Sequence, residues 1–182
     1  MHGDAATDPV ARTRHWLERA VIGLNLCPFA KAVYVKRQVR FVLSEARTTD
    51  ALRAELAAEL AHLQASDPQA LDTTLIIHPH VLADFLDYND FLDEADATVD
   101  ALGLRGEIQI ASFHPDYQFA GTDHDDPGNC TNRSPFPMLH LLREASVERA
   151  VAAFPDPDAI VERNLETLDR LGAEGWARLL RD

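Results

Sequence analysis

Apolar residues recur along the chain with two different periods, and the alternation between them predicts the elements. Over 10–26, Val10, Trp16, Leu17, Ala20, Val21 and Leu24 fall three and four apart, as on one face of an amphipathic helix. Pro28 restrains Cys27 from helical angles and suits the first turn of a second short helix over 28–35. QVRFVLS (38–44) alternates Val39, Phe41 and Leu43, a strand pattern. Thr49 or Asp50 caps a predicted helix over 51–65, with Leu52, Leu56, Leu60 and Leu63 on one face, and Asp67-Pro68 ends it. TTLIIH (73–78) is a short β-rich run, predicted as a buried strand that stops at Pro79. Residues 81–102 have helical spacing, with a break near Asn89 and an acidic outer face. EIQIASFH (107–114) predicts a third strand after a turn marked by Gly103 and Gly106. A helix is predicted over 135–153, another after Asp156-Pro157, and a last short one around Trp176.

This order predicts a helix-rich α/β single domain over 9–182, with residues 1–8 as a disordered tail. The sheet is small and mainly parallel or mixed. It has three strands, or four if YQFAG (117–121) pairs as an edge. In an open parallel sheet, ligands gather beyond the carboxyl ends of the strands. Two of those ends read His-Pro: His78-Pro79-His80 and His114-Pro115-Asp116. Parallel neighbours would bring His78 and His114 together, whereas antiparallel ones would separate them.

Composition bounds the partners. The 182 residues are 46% apolar and 26% charged, with net charge −13, which argues against nucleic acid and acidic membrane surfaces. An anionic ligand would need a local basic site against that field. No apolar run reaches the roughly 18 residues of a membrane span. The start lacks the basic flank and apolar core of a secretory signal. Cys27 and Cys130 form no CxxC, so the expected setting is reducing and cytoplasmic. GxxxxGK[ST], GxGxxG and GxSxG are all missing from the sequence. It specifies no cofactor and no oligomeric state.

The densest chemistry lies in 113–144, FHPDYQFAGTDHDDPGNCTNRSPFPMLHLLRE. His114 with Asp116 is a candidate acid/base pair, since a carboxylate can orient an imidazole. The alternative is a histidine that binds the loop backbone and holds its shape. Tyr117 and Gln118 are candidate polar ligand contacts; the alternative is that Tyr117 and Phe119 are anchors packing the loop onto the core. Asn132, Arg133 and Ser134 precede Pro135. If a helix starts there, its free amides and the Arg133 guanidinium make an anion site. The alternative is a cap, with Arg133 paired to Asp123, Asp125 or Asp126. On that helix, His140 and Arg143 would reach the loop or lie on its surface. Cys27 before a helix is a candidate reactive thiol, or simply a small buried hydrophobe. His78, His80, His114, His124 and the DHDD acids are of metal-ligand type, but their spacing matches no strong signature. The primary expectation is no metal, with His78 and His114 as the alternative ligands.

LNLCPFA (24–30), IIHP (76–79), FHPDYQFAG (113–121) and TNRSPFPMLHLLREAS (131–146) together resemble a bacterial family of about this length, a domain of unknown function. The resemblance spans about 12–180 and implies that these segments belong to one module. It implies no activity, and it leaves out His80, His124 and Cys130. The expectation is a small enzyme acting on a phosphate- or carboxylate-bearing metabolite by acid/base chemistry. The alternatives are a non-catalytic ligand- or protein-binding module and a metal-dependent or metal-binding protein.

Overall fold

The structure, a computed structural model, describes residues 7–154 and 156–181. Most of the expected tail lies outside these residues. Asp8 opens α1 (Pro9–Trp16), its carboxylate accepting the amides of Val10 and Ala11 at 3.3 Å, with Pro9 at the first helical position. The helix widens into a π-helical stretch, Leu17–Ile22, and ends there rather than at 26. Then come α2 (Ala30–Val35), β1 (Val39–Leu43), α3 (Thr49–Ala65), β2 (Thr73–Ile77), α4 (Phe85–Ala101) and β3 (Ile108–Phe113). The α3 cap is Thr48, one residue earlier than expected, with its hydroxyl accepting the Ala51 amide. α4 is unbroken at Asn89 and begins only after Asp84. Residues 81–84 are a loop in which Leu82 has left-handed backbone, φ 62°.

The main correction falls on 135–153. No helix starts at Pro135. Instead β4 (Met138–Arg143) runs straight into α5 (Glu144–Ala152). Pro137 disfavours helical angles at Phe136, and the short apolar run MLHLL then reads as a strand buried on both faces. YQFAG does not pair. The fourth strand is β4, and it is central.

The strand order is β1-β2-β4-β3, with β1 parallel to β2 and β4 antiparallel to both β2 and β3. β1, β2 and β3 therefore point the same way, so His78 and His114 leave the sheet at one end although β4 separates their strands. Alternation along the strands sends residues to two faces. One face, with Ile76, Leu139, Leu141 and Ile108, packs on the four leucines of α3 and on Phe91, Ala95 and Val99 of α4. Leu52, Leu56, Leu60 and Leu63 are fully buried, each worth about 2 kcal/mol. The other face, with Leu75, Ile77 and Met138, packs on Trp16, Leu17, Ala20 and Val21.

The final helix, α6 (Pro157–Arg181), kinks at Gly172, where φ is 68°, a value that favours glycine. The two expected C-terminal helices are its halves. The first packs Leu168 on Leu26 and Cys130, and its Asn164 donates to the Leu26 carbonyl at 2.8 Å. The second brings Trp176, Leu179 and Leu180 onto the Trp16 cluster, so both tryptophans close the same core. Among the described residues, no helix is long and apolar enough to cross a membrane.

Candidate functional site

The carboxyl ends of β2 and β3 bring the two predicted histidines to one aromatic stack. The His78 ring lies 5.9 Å from that of Tyr88, and the His114 ring 5.0 Å from it. The Tyr88 hydroxyl donates to the Met138 carbonyl at 2.7 Å and accepts the Phe113 amide at 3.0 Å, joining the ends of β3 and β4. Both imidazoles are fully buried and hold the 79–84 loop. His78 Nδ1 donates to the Val81 carbonyl at 3.1 Å, and His114 Nε2 to that of Leu82 at 3.1 Å. His114 Nδ1 accepts the Asp116 amide at 3.0 Å, which fixes its tautomer. Asp116 thus meets His114 through its backbone rather than by a carboxylate hydrogen bond. Its carboxylate lies 4.0 Å from His124. Burial pushes the His78 pKa down to about 4 and lowers that of His114.

The two ends of the 114–134 loop do meet, and they are joined through backbone. The His114 amide donates to Asn132 O at 3.2 Å, and Asn132 Nδ2 donates to Ser112 O at 2.9 Å. Arg133 Nε donates to Tyr117 O at 3.1 Å, and its Nη2 to His124 O at 2.6 Å. Ser134 is buried and donates to Phe136 O at 2.6 Å, and Gln118 donates to Thr122 O. Tyr117 packs between Phe85 and Phe119. Asn129, not among the residues expected from the sequence, is also central to the loop. It is fully buried, accepts from the Phe119 amide and the Thr122 hydroxyl, and donates to Asp123 O. Asn is common in turns, so its residue type carried little signal. With no helix starting at Ser134, the anion site expected there has no helix N-terminus.

Arg143 also lies apart from the loop. From the end of β4 it donates to the carbonyls of Leu63, Ser66 and Leu71, so it caps the end of α3. His80 faces Glu45 at 3.7 Å. Among the described residues, no three His, Cys, Asp or Glu side chains stand close enough to hold a metal ion.

The remaining two candidates, Cys27 and His140, line the same cavity. It lies on the second sheet face and has a volume of about 560 Å³. Its wall is mostly apolar, formed by Trp16, Leu17, Phe29, Leu75, Phe113 and Leu142. A polar run crosses it. Arg149 donates to Ser146 Oγ at 3.1 Å, and Ser146 donates to Asp72 at 2.6 Å. Thr73 follows, and its hydroxyl donates to Leu141 O at 2.6 Å. That carbonyl can only accept, so the hydroxyl's single proton is engaged. His140 Nε2, 2.7 Å from Thr73 Oγ1, must therefore carry a hydrogen and donate. Nδ1 is left as the unprotonated acceptor, and no described residue donates to it. Burial lowers the His140 pKa to about 4, so the ring is neutral at pH 7.

The basic residues are concentrated in the N-terminal quarter of the chain. Residues 1–47 hold eight Lys and Arg against four Asp and Glu, while the rest hold nine against 26. Lys36 from this segment and Arg149 of α5 both line the cavity. The signal missed in the sequence was His140 as the one polar residue in MLHLL, placed by β4 on the cavity side of the sheet.

A mixed four-stranded α/β domain, with a half-open cavity under its N-terminal helices, is the class that these elements define. The chain belongs to the family described as "Protein of unknown function (DUF1415)", which matches residues 8–178. No curated protein and no solved structure matches it.

Proposed function

We propose that this protein binds a small amphiphilic anion in the cavity beneath its N-terminal helices, with His140 as a hydrogen-bonding group on the cavity wall. The anionic ligand expected from the sequence is kept, but its place moves. Arg133 and Ser134 donate to backbone carbonyls of the loop, whereas Lys36 and Arg149 line an open space. The observation that carries the reading is the cavity itself: about 560 Å³, apolar over most of its wall, with a few convergent polar groups on one side. That size and lining are typical of small-molecule sites. A neutral imidazole on an apolar wall can accept a hydrogen bond from a ligand without taking its proton.

The dye ANS (anilinonaphthalenesulfonate) has the required shape, an apolar body with one anionic group. At pH 7 it should bind the folded protein with enhanced fluorescence, and decanoate should displace it. Ala150→Trp, at a lining position, should abolish binding by filling the space. The double change Lys36→Ala with Arg149→Ala should weaken decanoate roughly tenfold, as charge-assisted contacts are lost. Decanol should bind both proteins alike. Undiminished binding to the filled variant would overturn the reading.

A further inference from the structure

The polar wall of the cavity further restricts what it accepts, an inference that rests on the binding reading above. Thr73 fixes the His140 ring from one side only. Because its hydroxyl proton is committed to Leu141 O at 2.6 Å, the 2.7 Å contact to Nε2 makes His140 the donor there. The opposite nitrogen is then an acceptor. The ring also packs against Phe113, 6.0 Å between centroids, so it is held by both an aromatic neighbour and a hydrogen bond. A bare carboxylate offers this acceptor nothing, because both are hydrogen-bond acceptors without a proton to share. The cationic groups that suit a carboxylate are separate side chains, Lys36 just after α2 and Arg149 on α5.

We propose that the cavity selects hydroxy acids: an anionic end for Lys36 and Arg149, and a hydroxyl further along the apolar body that donates to Nδ1 of His140. An acid lacking the hydroxyl enters the same cavity, displaces water from this acceptor and leaves it unpaired, which lowers its affinity. Thr73 and His140 thereby set specificity, while the aromatic wall supplies most of the contact. The aromatic lining by Trp16, Phe29 and Phe113 admits either an alkyl or an aryl body.

The test compares two matched pairs by calorimetry at pH 7: decanoate with ω-hydroxydecanoate, and phenylbutyrate with its para-hydroxy derivative. The hydroxylated member of at least one pair should bind about five- to tenfold tighter, the value of one hydrogen bond in such a site. His140→Phe should remove that preference, and His140→Gln, which keeps an acceptor, should retain part of it. A measurement on the unaltered protein guards against variants that do not fold. Nitrogen NMR of the histidine rings should show His140 as a single tautomer protonated on Nε2. Its Nδ1 resonance should move with the preferred hydroxy acid and stay in place with the parent acid. Equal affinity within both pairs, or a His140 ring protonated on Nδ1, overturns the hydroxy-acid proposal while leaving the anion-binding reading intact. Failure of ANS and all four acids to bind overturns both.

Discussion

Acidification from pH 7 to pH 4.5 should destabilise this protein by about 5 kcal/mol through two histidines alone. Burial lowers the pKa of His78 and of His140 to about 4, against 6.5 for a free imidazole. A group whose folded-state pKa is depressed contributes stability that is complete above the unfolded value. That contribution is lost as pH falls toward the folded value. Here the window runs from about 6.5 down to about 4, because over that range the unfolded chain binds protons that the folded one excludes. Each ring accounts for about 3 kcal/mol once both pKa values are passed. His114, also lowered by burial, adds in the same direction. Typical domains have 5–15 kcal/mol in total, so the loss approaches global unfolding. Urea titrations at pH 7, 5.5 and 4.5 measure it. His140→Leu should lower the slope of unfolding free energy against pH by roughly one proton's worth. A stability unchanged across this range would contradict the lowered pKa of His78 and His140.

Arg143→Ala should destabilise the protein by about 3–5 kcal/mol, the cost of leaving several carbonyls without a charged donor. Arg143 donates to Leu63 O at 2.8 Å, Ser66 O at 3.0 Å, and Leu71 O at 2.9 and 3.1 Å. The first two carbonyls lie at the C-terminal end of α3, where the helix dipole also favours a cation. The third belongs to the turn leading into β2. One guanidinium thus ties α3, that turn and β4 together. For a domain of this size the loss corresponds to a fall in Tm of roughly 10 °C. Arg143→Lys should recover only part, since a single ammonium cannot reproduce the planar fork. Calorimetry measures the shift, and decanoate affinity at low temperature should be unchanged. A variant with normal Tm and lost ligand binding would restore the role expected from sequence.

The elements with a clear period were legible from residues alone. The leucines of α3 at 52, 56, 60 and 63 are four fully buried side chains on one face. Asp156-Pro157 and the Trp176 region predicted two helices, found as the halves of α6 on either side of Gly172. Whether His78 and His114 share an end of the sheet was left open by the sequence, because it depends on strand order. β4 lies between their strands and runs antiparallel to both, so β2 and β3 remain parallel to each other.

The site was less legible, and the reason is specific. MLHLLREASVERAV carries apolar residues at spacings compatible with a helix, and Ser134-Pro135 imitates a helix start. The competing signal was Pro137, which keeps Phe136 extended and sends the short apolar run into the sheet. A strand in place of a helix moves His140 from a presumed surface to the floor of the cavity. It also moves Arg143 from the loop to the end of α3. Local sequence could not place Cys27 and His140 on one cavity, because they are joined only through the packing of the N-terminal helices on the sheet. The rich chemistry of 113–134 pointed to a loop that needs many hydrogen bonds to hold its path. Polar residues hold such a path as readily as they bind a ligand, and sequence does not separate the two uses.

Ligands are expected to bind on the second sheet face and not at the 114–134 loop. Methyl NMR of the folded protein titrated with decanoate separates the two places most directly. The methyl resonances of Val33, Leu75, Leu142 and Val147, all lining the cavity, should shift and saturate together. Those of Thr122 and Thr131 in the loop should stay fixed. Shifts confined to the loop, or none at any decanoate concentration below its micellar range, would contradict the account.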